Sequence, residues 1–173
     1  AKELNLGIKI HADEIENIGC SSLAAELDAV SAEHLVKTSQ KDIEKLAKSG
    51  TIGILLPGTP FMLMEKEYSP ARKMIDKGVP IALATDLNPN CYTESMQMMI
   101  TLACLQMSMN PSEALTASTI NAAYAVGRGE RGSLECGKQA DLLILDVPNH
   151  MHIPYHFGVN LVEKVYKDGK RIV

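Results

Sequence analysis

The chain has few aromatic residues and no block of one charge. Aromatics make up 4% of it, and 17 basic side chains stand against 21 acidic ones, for a formal charge of −4. Nucleic-acid and membrane surfaces are met by clustered Lys and Arg, so neither is an expected partner. Long apolar runs are also missing. None approaches the roughly 20 residues of a membrane-spanning helix, and no leader pattern opens the chain. The four cysteines (Cys20, Cys91, Cys104 and Cys136) show no CxxC spacing, which reads as free thiols in a reducing cytoplasm. Phosphate cradles are absent too: there is no Walker loop and no GxGxxG, and the GRGERG at 127–132 lacks a preceding strand. Cys91 and Ser95 have no evident base partner in sequence, which argues against a covalent nucleophile.

What is present is alternation. At 173 residues and 46% hydrophobic the chain can bury a sizeable core. Residues 7–12 (GIKIHA), 30–35 (VSAEHL), 51–57 (TIGILLP) and 79–86 (VPIALATD) read as strands. Helical spacing follows each one, with Ser21 or Ser22 as a possible cap for the first helix, Ser39 before the second and Gly50 after it. GTPFMLMEKEYS reads as a loop, and 94–109 and 111–126 read as two consecutive helices, the second capped by Asn110 with Pro111 at its first position. Four strand–helix units predict parallel strands joined by crossovers. A closed eight-stranded barrel takes about 200 residues or more, so the expected fold class is α/β, a partial (β/α)8 barrel of about four βα units. After residue 126 the pattern changes. A strand near 140–146 and the hairpin signal VEKVY-KDG-KRIV predict a small β layer, part of a sandwich, which divides the chain into 1–126 and 127–173.

The chemistry-bearing residues sit at strand ends. His11 closes the first strand and is followed by Asp13 and Glu14, His34 closes the second, and Asp86 closes the fourth. Barrel enzymes present reactive groups at that edge. A lone histidine there is more often a satisfied core residue, but two imidazoles and a carboxylate at equivalent positions favour a functional mouth. Imidazole and carboxylate suit a borderline divalent ion, and a catalytic ion takes about three protein ligands plus water. His150, His152 and His156 lie beyond this edge and read as structural.

The segments KIHADE, AVSAEHL, ILLPGTPF, ALATDLNPN, TESM, GSLECGKQADLLILD and PYHFGVNLV span nearly all of the chain. Together they resemble the C-terminal half of the imidazolonepropionases, a family within the amidohydrolase superfamily. The resemblance implies one divalent metal ion, Zn or Fe, and hydrolysis of the small-molecule substrate 4-imidazolone-5-propanoate to N-formimidoyl-L-glutamate in histidine degradation. It implies His11 and Asp86 as metal ligands, and Glu14, His34 and Asp86 as catalytic groups. Glu14, Asn88, Asn90 and Cys91 are the implied substrate contacts. The family's first-strand HxH pair has no counterpart among these residues, so the chain is expected to be a fragment with little activity alone. The opening AKELNLG, without Met, fits a cut.

Two other readings remain: a fragment of another amidohydrolase, such as a deaminase or cyclic-amide hydrolase, or a non-catalytic half-barrel module. Open sheet edges lead us to expect self-association.

Overall fold

Every strand of the first half is short and followed by a helical segment, and the structure arranges them in chain order. The computed structural model describes residues 1–173 apart from the side chain of Lys2. After a 3-10 turn at Lys2–Leu4 the elements run β1 (Lys9–Ala12), α1 (Cys20–Glu26), β2 (Ser31–His34), α2 (Gln40–Ser49), β3 (Ile52–Leu55), α3 (Gly58–Met62), α4 (Ala71–Asp76) and β4 (Ile81–Leu83). The four strands form one parallel sheet in the order β1-β2-β3-β4. Three helices follow, α5 (Met96–Gln106), α6 (Pro111–Ser118) and α7 (Ile120–Ala125). The last part holds β5 (Leu142–Leu145), the short α8 (His152–Tyr155), β6 (Val162–Lys167) and β7 (Lys170–Arg171), the strands forming an antiparallel sheet ordered β5-β6-β7.

Alternation along the strands divides the parallel sheet into two unlike faces. Ala12, Ala32, Leu55, Ile81 and Leu83 pack with Ala24, Ile43, Leu46, Met74, Ile100 and Ala103 of the helices into the main core. Gly53 belongs to this face because a Cβ there would come within 3.0 Å of Leu35 Cδ1. By register, the opposite face carries Lys9 and His11, then Ser31 and Glu33, then Ile54 and Ala82. Its apolar half packs on Ala125 of α7. Its polar half is linked by Lys9 Nζ, which lies 3.1 Å from Glu33 Oε1 and donates to the Ala125 carbonyl at 3.1 Å.

Several local expectations are corrected. Ser21 and Ser22 do not cap α1, whose N-cap is Gly19; their hydroxyls instead donate to Asp13 and Asp42. The expected helix 111–126 breaks at Thr119. There the Ser118 and Thr119 hydroxyls donate back to the Ala114 and Leu115 carbonyls, and Asn121 Nδ2 donates to the Ile81 carbonyl at 2.8 Å, seating α7 under β4. The supposed loop after β3 starts with the helical turn α3, and His152 opens a helical turn rather than lying in a β layer. The hairpin forms as expected, with Asp168 (φ 51°) and Gly169 (φ 74°) both left-handed, as a type I′ turn requires. Among the described residues, no helix is long and apolar enough to cross a membrane.

Asp42 is the polar knot between α1 and α2. It is nearly buried at 6% exposure and accepts from Asn17 Nδ2 at 2.9 Å, Ser39 Oγ at 2.5 Å and the Ser22 hydroxyl. Burial alone would raise its pKa, but the hydrogen bonds from Ser22, Ser39 and Asn17 outweigh it and lower the value to about 2. A carboxyl lowered in the folded state contributes stability above its unfolded pKa and loses that contribution as pH falls through the folded one. Asp42→Asn should therefore cost about 2 kcal/mol at neutral pH. In urea titrations the gap to the parent should narrow between about pH 4 and pH 2; a gap independent of pH would show that the carboxylate charge is not what holds the helices.

Candidate functional site

Parallel pairing places every strand's C-terminal end on one edge of the sheet, and at that edge the backbone takes unusual turns. Asp13 (φ 47°), His34 (φ 70°), Leu35 (φ 60°) and Asp86 (φ 54°) are all left-handed. Such conformations cost on the order of 1–3 kcal/mol each and persist where surroundings enforce them. Here the enforcement is visible. Leu35 is fully buried, its N–H donates to the Ala12 carbonyl at 3.0 Å, and Ser69 Oγ donates to the His34 carbonyl at 2.5 Å.

These turns bring His11, Glu14 and His34 together, with one potential ligand atom from each lying within 4.8 Å of the others. His11 Nδ1 is 2.9 Å from His34 Nε2, and His34 Nδ1 is 3.4 Å from Glu14 Oε1. His11 Nδ1 and His34 Nε2 are within hydrogen-bond reach, so one ring donates to the other, and His34 Nδ1 faces the Glu14 carboxylate; His11 is the more exposed of the two rings. Burial lowers the His34 pKa below the ordinary imidazole value, against the opposing charges of Glu14 and then Asp86, with His11 adding to the lowering. The donor set of two imidazoles and a carboxylate fits a borderline divalent ion such as Zn or Fe(II).

Asp86 lies three residues beyond β4 and is steered by Thr59, whose Oγ1 donates to Asp86 Oδ2 at 2.6 Å. It acts on His34 by charge but stands outside the converging trio. Asn88 shapes the following loop. Its Nδ2 donates to the Asp86 carbonyl at 2.7 Å, and its Oδ1 accepts from the Asn90 and Cys91 N–H groups at 2.8 and 3.2 Å. Asn90 is exposed at the tip. Cys91, expected to face the substrate, is instead fully buried, its thiol 3.6 Å from the Thr85 carbonyl, because the Asn88–Cys91 bridge turns it inward. A cleft of about 150 Å³ opens beside the trio, lined by Glu14, His34, Lys37, Thr59, Leu63 and Glu67.

His150 pairs with Ser112 at 2.9 Å and takes no part in this cluster, nor do His152 and His156. Sequence reasoning missed Thr59 and the buried role of Asp13. The first is found only through the fold; the second was visible as an acid two residues after His11 and next to Glu14.

Residues 1–172 match the model of the amidohydrolase family. The chain is 56% identical to the imidazolonepropionase of Alkaliphilus metalliredigens and 53% identical to that of Bacillus velezensis, covering 100% of itself and 42% of each relative. It thus spans about two-fifths of the length of these curated relatives. Among solved structures it resembles a Xanthomonas campestris adenosine deaminase with bound zinc (TM-score 0.83, 23% identity, 99% of this chain and 46% of that one). It also resembles a Klebsiella pneumoniae 5-methylcytosine deaminase (TM-score 0.80, 21% identity, 100% and 49%). At such identities the likeness is one of fold.

Removing the Glu14 charge takes away the largest influence that raises the His34 pKa, so in metal-free Glu14→Gln that pKa should fall further. Imidazole NMR titration of both forms checks this, and an upward shift in the variant would contradict the assigned contact.

Proposed function

Because the chain belongs to the amidohydrolase family, we propose that it carries part of the active site of an imidazolonepropionase-type hydrolase. Its reaction adds water to 4-imidazolone-5-propanoate and gives N-formimidoyl-L-glutamate. The observation that carries this reading is the chain of groups His11–His34–Glu14, at 2.9 and 3.4 Å, on the sheet edge that also bears Asp86.

In this reading residues 1–126 are the C-terminal half of a (β/α)8 barrel, and 127–173 belong to a β-sandwich portion. The unpaired edges of β1 and β4 are where further strands join, from the rest of a longer polypeptide or from a second copy. The setting is cytoplasmic, consistent with four cysteines outside any disulfide.

His11 and Asp86 would hold a divalent ion, Zn or Fe. When bound, that ion supplies Lewis acidity, which makes water nucleophilic near neutral pH. His34 is kept neutral by burial and so is able to take a proton as water adds to the ring carbonyl carbon. Its Nδ1 faces Glu14, giving that proton a path to the carboxylate. Glu14 then delivers it to the ring nitrogen as the C–N bond breaks. Thr59 fixes the Asp86 carboxylate through its hydroxyl proton, leaving the other carboxylate oxygen available. Asn88 and Asn90 line the loop toward the substrate's carboxylate end, with Cys91 packed beneath them.

Two measurements test this. Plasma mass spectrometry of the purified chain should find Zn or Fe, with affinity reduced at least about tenfold in His11→Ala. In the intact protein, Glu14→Gln should lower kcat for imidazolone hydrolysis by on the order of 10²–10⁴. Turnover of cytosine or adenosine but not of imidazolone propanoate would replace this reading with a deaminase.

A further inference from the structure

We infer that Asp13, the residue between the His11 strand end and Glu14, is a positioning residue that holds Glu14 against His34. The inference rests on the hydrolase reading for its kinetics but not for its geometry. Asp13 is 4% exposed, yet its carboxylate makes no contact with the converging trio. Both oxygens are turned back into the chain. Oδ1 accepts the N–H groups of Ile18 and Cys20, each at 3.1 Å, and Oδ2 accepts the Ser21 N–H at 3.0 Å together with the Ser21 hydroxyl. Its own carbonyl accepts the Lys37 N–H at 2.8 Å from the segment just past β2. One residue therefore ties the end of β1 to the start of α1 and to the end of β2.

Glu14 leaves this knot directly. The segment that follows it contains no helix or strand, and Ile15 and Ile18 are 80% and 76% exposed, so packing contributes little to its placement. Its other tie is Asn17, whose Nδ2 bridges the Lys37 carbonyl at 3.1 Å and Asp42 at 2.9 Å. The left-handed turn at Asp13 (φ 47°) reverses the chain so that Glu14 Oε1 returns to within 3.4 Å of His34 Nδ1. A carboxylate that accepts four donors holds such a turn, because the buried Ser21 donors would lose their partner if it opened.

Asparagine is nearly the same size as aspartate but presents one oxygen and one NH2 group. In Asp13→Asn the oxygen can keep Ile18 and Cys20, whereas the NH2 group meets the Ser21 N–H donor with donor. The turn loosens and Glu14 drifts from His34. Ser21→Ala removes a single donor, and its effect should be smaller. Glu113→Gln, which breaks the Arg72 ion pair at 2.9 Å far from the sheet edge, is the control for a general loss of stability.

The experiment compares these variants with Glu14→Gln and with the double variant Asp13→Asn/Glu14→Gln in the intact protein. Kinetics of imidazolone hydrolysis and imidazole ¹⁵N spectra are read side by side. Asp13→Asn should lower kcat by about 10–100-fold with KM changed less than about threefold, and should shift the His34 imidazole signals. If Asp13 acts through Glu14, the double variant is no slower than Glu14→Gln alone. Losses that multiply in the double variant overturn the inference. So do unmoved His34 signals in folded Asp13→Asn, or a Glu113→Gln variant of equal stability that loses as much kcat. Should the parent protein show no imidazolone turnover, the hydrolase reading fails, and the His34 spectra of Asp13→Asn still decide the role of Asp13.

Discussion

Parallel strand pairing is the constraint on which the rest of this molecule depends. Two adjacent strands can run in the same direction only if the chain crosses back over the sheet between them. Each strand then ends on the same edge. In this chain the crossovers place helices on one face, where Ala12, Leu55 and Leu83 meet Ile43, Met74 and Ile100 in the main core. Half of the other face, Ile54 and Ala82, packs on α7, and the rest of that face and the C-terminal edge are left for polar groups. His11 Nδ1 and His34 Nε2, from residues 23 positions apart in sequence, lie 2.9 Å apart because β1 and β2 are adjacent strands and the chain turns left-handed at His34.

The second theme is what it takes to hold that edge in place. Four non-glycine residues there adopt left-handed backbone conformations. They are stabilised by buried hydrogen bonds rather than by regular secondary structure. Asp13 gathers the loop after β1, Ser69 holds the His34 carbonyl, Thr59 holds Asp86, and Asn88 holds the turn after Asp86. Each of these side chains is short; Asp13, Ser69 and Asn88 satisfy backbone donors or carbonyls that a tight turn would otherwise strand, and Thr59 donates to the Asp86 carboxylate. Asp42 does the same for the helices one layer further out. Rigid support of this kind is what a catalytic group needs, since small displacements at a reacting centre are costly.

Local signals carried some elements a long way. The type I′ turn at Asp168–Gly169 and the capping boxes of Ser39 and Asn110 form where composition placed them, since two or three neighbouring residues determine them. Ser21 and Ser22 misled because a serine near a helix start resembles a cap by spacing alone. Their hydroxyls had better acceptors in Asp13 and Asp42, one of them contributed by a different element. For Cys91 the family resemblance implied a substrate contact, and the structure shows the thiol fully buried beside the Asn88–Cys91 bridge.

The sequence by itself determined the alternation of strand and helix, the placement of His11 and His34 within the last two residues of their strands, and the hairpin at 162–171. All of these are set by periodicity and turn chemistry, which act over a few residues. The expected fourth strand, 79–86, forms only over Ile81–Leu83, so Asp86 lies in the loop beyond it. Tertiary structure decided which of those groups touch. It placed Glu14 rather than Asp86 in closest company with the two imidazoles, and it gave Asp86 to Thr59. It also lowered the His34 pKa by burial. Those outcomes depend on register, on left-handed turns and on exclusion of water, properties that arise only when distant segments are packed together.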